Sequence, residues 1–470
     1  MEVVFSDGTR QQYEDMPFAR GGQGALHYSK DNQHVLKLFT NLAPNRVAAR
    51  VQQVDKIIGD YNVVGNDPYW NDLYSWPDKR ATTPSLGVRM RRVDGLTRMD
   101  SYFYRVSSAR LPADKRGWWL GRVASGVKLA RAMWRLQQRG LCHSDLSEKN
   151  LMVDPFSGRL TILDCDSLVV PGVLAADVDG TPDYMAPEIV AGKATPTTQT
   201  DLHALAVLLY RWLLYRHPLK GPKQHAAQAD LDDLLMLGER ALYIEHPVDH
   251  SNRPQKLQFT ADDVLTPRMA DLFRQAFVDG LHTPAKRPLP NRWEEALIEL
   301  LDHLVPCPNG KCEFKFFVAR DGRPLQCPIC KSYADFPDRL PFVKLQSPRQ
   351  LHGKLTFANE GQYPRYVVGW PERPLYGWHA DTTLKSSPDG SGKPPDTRPV
   401  ALLRFDAAQR EWYVENLALP QLQLGIGSGT QVQWQPVAVG SRAPLKHGTE
   451  LLLGASDHAR KAFVELRRVR

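Results

Sequence analysis

The sequence lacks an apolar run long enough to cross a lipid bilayer. Its most apolar stretch, residues 202–215, is too short for a membrane span and is interrupted by His203 and Arg211. The first ten residues are already polar and strand-like, without the basic and apolar regions of a secretory leader. These absences argue against a membrane or secreted protein, and we expect a cytoplasmic one.

Cysteine and blocks of like charge are also scarce. Six of the 470 residues are cysteine, which argues against a disulfide scaffold and favours free thiols or metal ligands. The net charge of +8 permits phosphate or nucleic-acid contacts, but the lysines and arginines are scattered, as on a solvated surface. The length predicts two or three domains, because one core rarely grows this large.

A glycine-rich turn followed by a lysine within a strand is the first candidate functional feature. Gly21, Gly22 and Gly24 form the turn, and glycines let backbone amides approach phosphate groups. Lys37 follows 13 residues after Gly24, inside the apolar strand pattern of residues 35–39. Lys37 is either an edge-strand lysine that reaches water or an ammonium group that holds nucleotide phosphates.

A polar loop and a later carboxylate can supply the chemistry of phosphoryl transfer. The loop, residues 143–150, reads His-Ser-Asp-Leu-Ser-Glu-Lys-Asn. Asp145 can orient a hydroxyl group, and Asn150 lies five residues later in the same loop. Asp164 follows Asp145 by 19 residues, at the end of an apolar strand pattern, where its carboxylate can bind Mg²⁺.

In this order the motifs resemble those of eukaryotic-like protein kinases over about residues 10–300. The likeness is carried by the turn from Ala19 to Leu26, Lys37, His143-Ser144-Asp145-Leu146 with Asn150, Asp164-Cys165-Asp166, Ala186-Pro187-Glu188, Asp201 and Arg287. The resemblance implies a two-lobed fold that binds ATP with Mg²⁺ or Mn²⁺. It also implies a pair between Glu188 and Arg287.

The resemblance implies a role for each matched residue. The nucleotide would be covered by Ala19, Gly21, Gly22, Gly24 and Leu26, held at its phosphates by Lys37, and bound at its adenine by a hinge that includes Met90, Arg91 and Val93. Asp145 would orient the substrate hydroxyl, Lys149 would neutralise charge on the γ-phosphate, and the metal ligands would be Asn150 and Asp164.

The helix after Lys37 departs from the family pattern. Pro44 opens a helical pattern whose predicted buried face is apolar, with Val47, Val51, Val54, Ile57 and Ile58. No glutamate lies between Pro44 and Asp60 to pair with Lys37. Asp55 is the best substitute, with Gln52 and Gln53 as competitors.

Two further departures lie near the catalytic motifs. Asp166 stands where the family has glycine. Ser144 stands where many kinases have an arginine that binds a phosphate on the activation loop. Only Ser167, Thr181 and Tyr184 can be phosphorylated between residues 164 and 188. We therefore expect an enzyme that is not switched by activation-loop phosphorylation.

Four cysteines form two closely spaced pairs, Cys307 with Cys312 and Cys327 with Cys330. Two such turns can place four sulfur atoms around a tetrahedral Zn²⁺, and the segment resembles a zinc ribbon. Phe314-Lys315-Phe316-Phe317 could contact nucleic acid, but strand residues of the ribbon are the favoured interpretation.

After about residue 341, short strand-like runs alternate with turn residues, which predicts an antiparallel β-sandwich. This part faintly resembles forkhead-associated domains. The predicted fold class is α+β, with a kinase-like domain at 1–303 (small lobe 1–93, large lobe 94–303), a zinc ribbon at 304–340 and the sandwich at 341–470.

The predicted function is that of an ATP-dependent serine/threonine kinase acting on protein substrates. The alternative is a nucleotide-binding pseudokinase that assembles partner proteins, and a third hypothesis is nucleic-acid binding through the ribbon. The domain order is similar to that of bacterial kinases found with a von Willebrand A protein and a metal-dependent phosphatase in tellurite-resistance-type triads. That resemblance implies such partners, whereas membrane and nucleic-acid partners are not expected.

Overall fold

The computed structural model describes residues 1–40, 42–103, 117–169, 180–320, 322–334, 337–361, 363–386, 395–426 and 432–469. The chain forms two compact units. The first consists of residues 1–117, 121–257 and 271–294, and the second of residues 118–120, 258–270 and 295–470. Within the described ranges, no helix has both the length and the apolar character that a membrane crossing requires.

An antiparallel sheet of seven strands forms the N-terminal part of the first unit. The strands are β1 (Glu2–Phe5), β2 (Arg10–Gln12), β3 (Ala19–Gly21), β4 (Gly24–Tyr28), β5 (His34–Phe39), β6 (Pro77–Thr83) and β7 (Gly87–Arg91), in the order β2-β1-β6-β7-β5-β4-β3. The predicted strand at residues 35–39 is confirmed as part of β5.

The two faces of this sheet bury different clusters. Leu36 and Leu38 join a core with Val3, Phe5, Tyr13 and Ala81. Phe39 joins the other cluster, which includes Val54 of helix α1 (Val47–Ile58). Because successive strand residues point to opposite faces, Lys37 lies on the same face as Phe39, toward helix α1.

Helices dominate the chain after the sheet, and a small three-stranded sheet accompanies them. The strands are β8 (Thr97–Arg98), β9 (Leu151–Asp154) and β10 (Arg159–Ile162). The helices are α2 (Pro68–Leu73), α3 (Trp119–Gln138), α4 (Pro187–Val190), α5 (Thr198–Leu214), α6 (Ala229–Leu237), α7 (Ala261–Val264), α8 (Pro267–Arg274, continued by a π-helical turn, Gln275–Asp279) and α9 (Pro290–Asp302).

Helix α5 is the predicted apolar run, and it is buried all round. It begins at a capping box in which Thr197 and Thr200 satisfy each other's backbone amides. Every residue from Thr200 to Leu214 is buried, including Asp201. A helix of this kind forms the core of its unit and fixes the position of any polar group that it carries.

The second unit holds the cysteine segment and an all-β C-terminal region. A hairpin of β11 (Leu304–Pro306) and β12 (Phe316–Val318) carries the first cysteine pair. One sheet contains β13 (Arg339–Leu351), β14 (Lys354–Ala358), β15 (Arg365–Val368), β19 (Gln423–Ile426), β20 (Gln433–Pro436), β22 (Glu450–Leu452) and β23 (Lys461–Arg468). The other contains β16 (Arg373–Tyr376), β17 (Pro399–Asp406), β18 (Glu411–Asn416) and β21 (Arg442–Leu445), and one short helix, α10 (Gly377–Ala380), follows β16.

A side-chain bond joins these two C-terminal sheets. The indole of Trp412, in β18, donates to the carbonyl of Arg339, in β13, over 3.0 Å. The mixed helix and sheet content agrees with the predicted α+β class. The likeness to forkhead-associated domains and the domain boundaries stay predictions.

Candidate active site

Lys37 and Asp164 meet in the first unit, as the motif order predicts. The ammonium group of Lys37 is 7% exposed, and it donates to Asp164 Oδ1 and, over 3.3 Å, to Gln23 Oε1. Burial opposes ionisation of Asp164, but the positive charge of Lys37 outweighs it and lowers the pKa of Asp164 to about 2. Burial also opposes the charge of Lys37, and Asp166 and Asp164 outweigh it and raise the pKa of Lys37.

A second carboxylate, that of Asp166, also binds Lys37. Asp166 is completely buried, and its Oδ1 and Oδ2 lie 3.1 and 3.0 Å from the lysine nitrogen. Arg50, on helix α1, donates to Asp166 Oδ2 over 2.8 Å. The expectation that Asp55 replaces the missing helix glutamate is wrong, because Asp55 forms an ion pair with Arg80 at the surface.

Both carboxylate oxygens of Asp145, in the predicted catalytic loop, accept hydrogen bonds. Asp145 Oδ1 accepts from the Thr181 backbone amide over 2.8 Å and from its hydroxyl over 2.7 Å. Asp145 Oδ2 accepts from Asn150 Nδ2 over 3.1 Å. The loop adjoins Asp164, because the Leu163 amide donates to the Asn150 carbonyl over 2.8 Å. The structure therefore brings Lys37, Asp164, Asn150 and Asp145 into one connected site.

The backbone of this loop is fixed by Asp201 of helix α5. Asp201 accepts from the amide of His143 over 2.6 Å and from the amide of Ser144 over 3.1 Å. Burial raises the pKa of Asp201, although His143 opposes the shift. His143 Nε2 lies 3.0 Å from the Leu163 carbonyl, so this side chain joins the loop to the residue that precedes Asp164.

Ser144 lies in the left-handed region with a φ of 63°, and Asp164 does so with a φ of 60°. Residues other than glycine rarely adopt this conformation, and it is concentrated at functional sites. In sequence, Ser144 precedes Asn150 and Asp164 directly follows Leu163, and the hydrogen bond from the Leu163 amide to the Asn150 carbonyl joins their two segments.

The glycine-rich turn connects β3 and β4 above the face that carries Lys37. A Cβ atom on Gly24 would lie 2.6 Å from the Leu38 carbonyl, so glycine is required there by close strand packing. Gly21 and Gly22 have open space around them and so leave room for a ligand. Ala19 is exposed in β3, and Leu26 is paired with Lys37 across β4 and β5.

The predicted hinge residues lie at the end of β7. Met90 is buried and Arg91 half-buried, and they pair with Val35 and His34 of β5. Val93 is half-buried just beyond the strand. Lys149 is exposed and forms no hydrogen bond or ion pair with any residue that the structure describes.

The predicted pair between Glu188 and Arg287 is confirmed. Arg287 Nη1 and Nη2 donate to the two oxygens of Glu188, each over 2.7 Å. Arg287 is 4% exposed, so this is a buried bidentate ion pair.

The four cysteines of the second unit converge as the sequence predicts. Their sulfur atoms all lie within 4.8 Å of one another. The Sγ atoms of Cys307 and Cys330 are 3.6 Å apart, and those of Cys312 and Cys327 are 3.7 Å apart. These distances exceed the roughly 2.05 Å of a disulfide. They are close to the roughly 3.8 Å between two sulfurs on a tetrahedral ion with 2.3 Å bonds.

The aromatic residues near these cysteines are packed into the unit. Phe314 and Phe317 are buried, and Phe314 stacks on Trp119 at 5.7 Å. Phe316 and Phe317 belong to β12, so the interpretation as strand residues is confirmed for these two, while Phe314 and Lys315 lie just before the strand. The rings of Phe314 and Phe317 are therefore not available to stack on bases, while Phe316 is half-buried.

Sequence reasoning missed three residues of the site: Arg50, Asp166 as a partner of Lys37, and Thr181 as a partner of Asp145. A signal for the first two was present. Helix α1 lacks a glutamate and carries Arg50, and the additional aspartate Asp166 follows the motif aspartate Asp164. A cation gained on the helix and an anion gained after the motif together suggest a new ion pair.

Residues 123–302 match the family described as the protein kinase domain. The chain is 32% identical over 190 residues to "Serine/threonine-protein kinase pkn2" of Myxococcus xanthus, covering 35% of this chain and 22% of that protein. It is 30% identical over 125 residues to a putative protein kinase C delta type homolog of Drosophila melanogaster, covering 26% of this chain and 17% of that protein. It is 26% identical over 186 residues to a dual serine/threonine and tyrosine protein kinase of Mus musculus, covering 40% and 18%.

The matched part of the chain spans about a fifth of the length of each of these relatives. The matched segment is therefore similar to protein kinase domains, and these relatives are themselves described as protein kinases. The family match begins at residue 123, after the sheet that carries Lys37, so it does not include that lysine.

Proposed function

We propose that this chain is an ATP-dependent serine/threonine protein kinase that transfers the γ-phosphate to protein hydroxyl groups. The observation that carries the proposal is the connected network from Lys37 through Asp164 to Asn150 and Asp145. These residues come from three distant segments and present one cation, two carboxylates and an amide. Phosphoryl transfer depends mainly on positioning and charge stabilisation, which such a network supplies.

Lys37 would hold the nucleotide phosphates, and Asp145 would orient the attacking hydroxyl. The Asp145 carboxylate suits this role because Thr181 and Asn150 hold it in one orientation. Thr181 also favours serine/threonine specificity, since it stands in the motif typical of such kinases. Lys149 is exposed and has no hydrogen-bond or ion-pair partner among the described residues, and it would reach the γ-phosphate from the same loop.

The metal ligands would be Asp164 and Asn150. The donor set fits Mg²⁺ or Mn²⁺, which prefer carboxylate and amide oxygens. Asn150 donates its amide hydrogens to Asp145, and its Oδ1 has no partner among the described residues. When bound, the ion would neutralise charge on the transferred phosphate.

The nucleotide itself would lie under the glycine-rich turn and against the hinge. Gly21 and Gly22 leave space for phosphates to approach the backbone amides. Ala19, Gly24 and Leu26 would complete this cover. Met90, Arg91 and Val93 would provide the backbone that binds adenine.

The C-terminal modules would bind metal and partners. Cys307, Cys312, Cys327 and Cys330 would hold a structural Zn²⁺, since their sulfur spacing suits a closed tetrahedral site. Partners of the von Willebrand A and metal-dependent phosphatase types follow from the resemblance of the domain order. A cytoplasmic location follows from the composition.

Activation-loop phosphorylation would not switch this enzyme. Ser144 carries no charge to bind a phosphate, and Asp201 holds its backbone in place. Residues 170–179, in the middle of the activation segment, lie outside the described residues.

The test is phosphate incorporation from radiolabelled ATP with Mg²⁺ or Mn²⁺. We expect the wild-type chain to label itself or a generic acceptor protein, and Asp164→Ala to abolish the labelling while the protein stays folded. Asp60→Ala, at an exposed aspartate of the same unit, is the control and should label normally. Undiminished labelling of Asp164→Ala would refute the proposal.

The pseudokinase alternative rested on the missing helix glutamate and on Asp166. It predicts ATP binding without any labelling under these conditions. The contact between Asp166 and Lys37 weakens it, because Lys37 has carboxylate partners without the glutamate.

A further inference from the structure

Three buried charges form a chain from the strand lysine to helix α1. Lys37, Asp166 and Arg50 are 7%, 0% and 5% exposed. Asp166 Oδ1 lies 3.1 Å from Lys37 Nζ, and Asp166 Oδ2 lies 2.8 Å from Arg50 Nη2. The single carboxylate of Asp166 therefore lies between two cations that would otherwise face each other in a buried site.

Arg50 is itself held on several sides. Its guanidinium lies 4.4 Å from the centre of the Phe39 ring. Arg50 Nη1 donates to Gln53 Oε1 over 2.7 Å, and Gln53 Nε2 donates to the Leu168 carbonyl over 3.1 Å. These contacts connect helix α1 to the segment around Asp166, so the position of Asp166 depends on the helix.

We infer that Asp166 is the positioning residue for Lys37 and that Arg50, on helix α1, is the partner of Asp166. In the family pattern the helix carries a glutamate that pairs with the lysine, so the charge of the helix residue is reversed here. The helix supplies a cation, and the anion comes from the segment after Asp164. The inference rests on the proposed function for the reaction itself. Its consequence for nucleotide phosphates can be measured without phosphoryl transfer.

The first experiment compares the binding of ATP with that of adenosine, both in the presence of Mg²⁺, by calorimetry on the full chain. Adenosine lacks the phosphates that Lys37 would contact. We expect Asp166→Asn to weaken ATP binding by about 10- to 100-fold, as a misplaced charged group does, and to leave adenosine binding unchanged. Asp55→Asn is the matched control on helix α1, since the exposed Asp55 forms its ion pair with Arg80 and with no other described residue.

The second experiment exchanges the charges. Arg50→Glu alone places two carboxylates together and should weaken ATP binding at least as much as Asp166→Asn. The double variant Arg50→Glu/Asp166→Gly moves the anion onto the helix, and we expect it to recover at least about tenfold in ATP affinity over Arg50→Glu. Arg50→Lys keeps the cation but loses the guanidinium that reaches both Gln53 and Asp166, so it should weaken ATP binding, though less than Arg50→Glu does. If Asp166→Asn does not fold, Arg50→Lys replaces it as the test of the contact between Arg50 and Asp166.

Each result decides one question. The positioning role would be overturned if Asp166→Asn bound ATP as tightly as wild type does. It would also be overturned if this variant lost affinity for ATP and for adenosine equally. A double variant that binds no better than Arg50→Glu would overturn the reversed arrangement. If wild type binds ATP but transfers no phosphate, the proposed activity fails, while these binding comparisons still decide the role of Asp166.

Discussion

The buried pair between Glu188 and Arg287 allows a quantitative prediction of stability. All five N–H groups of the guanidinium have acceptors. Two go to the Glu188 carboxylate at 2.7 Å each, and three go to the carbonyls of Gly280, Gln199 and Leu281 at 3.0, 3.0 and 3.2 Å. The perturbation is Glu188→Gln, which keeps the size of the side chain and removes its charge.

The expected cost follows from these contacts. Removing one partner of a buried ion pair costs about 3–5 kcal/mol because the other charge is left buried. The Glu188 side chain is 19% exposed and Arg287 keeps its three carbonyl acceptors, so we expect about 2–4 kcal/mol for Glu188→Gln. Arg287→Met removes a donor from three backbone carbonyls and leaves the Glu188 carboxylate without its partner, so it should cost at least about 4 kcal/mol.

The assay is urea unfolding followed by tryptophan fluorescence, which reports on Trp212 and Trp293 in the first unit. The double variant Glu188→Gln/Arg287→Met completes a double-mutant cycle, and its cost should be well below the sum of the two single costs. Glu239→Gln is the matched control, because Glu239 forms an exposed pair with Lys193. A shift for Glu188→Gln no larger than that for Glu239→Gln would refute the reasoning.

Two further predictions concern the second unit. Purified protein should contain about one zinc ion per chain, and Cys327→Ser or a chelator should remove it and lower the melting temperature of this unit, as metal analysis and calorimetry would measure; a chain without metal that is equally stable would contradict this. Burial raises the pKa of Glu299 from 4.5 to about 7, although Arg268 opposes the shift. Because the unfolded chain loses this proton at a lower pH than the folded chain does, the free energy of unfolding should fall as pH rises from about 4.5 to 7. Glu299→Gln should remove that slope and be more stable than wild type at pH 8 by up to about 3 kcal/mol in urea unfolding, whereas an unchanged slope would contradict the assignment.

The sequence predicted best where one local pattern decides the structure. The apolar patterns at residues 35–39 and 202–215 correctly located β5 and helix α5, because burial of those residues needs no specific partner. The shared site of Lys37, Asp145, Asn150 and Asp164 was predicted differently, from the resemblance of the motif order to that of protein kinases. The cysteine spacing predicted a convergence that the sulfur distances confirm.

The buried face of helix α1 shows where such patterns fail. The expected face was entirely apolar, yet the buried residues are Arg50, Gln53, Val54 and Ile57, while Val47 is exposed. Arg50 is buried because it meets Asp166, which lies 116 residues away in the sequence. Hydrophobic periodicity carries no information about a partner at that distance.

The strand Arg339–Leu351 was missed for a related reason. Prolines and charged residues interrupt its apolar pattern, so its sequence does not indicate a strand. The strand is specified by pairing with β23, near the C-terminus, and with β15. Long-range pairing of this kind is decided by the fold and not by local propensity.

The two bonds from Asp201 to the catalytic loop have a consequence for the order of events during synthesis. The bonds span 58 and 57 residues of sequence, so the loop can take its final shape only after helix α5 has been made. At a ribosomal rate of about 5–20 residues per second, His143 and Ser144 are made roughly 3–12 s before Asp201. A nascent chain therefore carries every residue of this loop for several seconds before it can carry the active conformation.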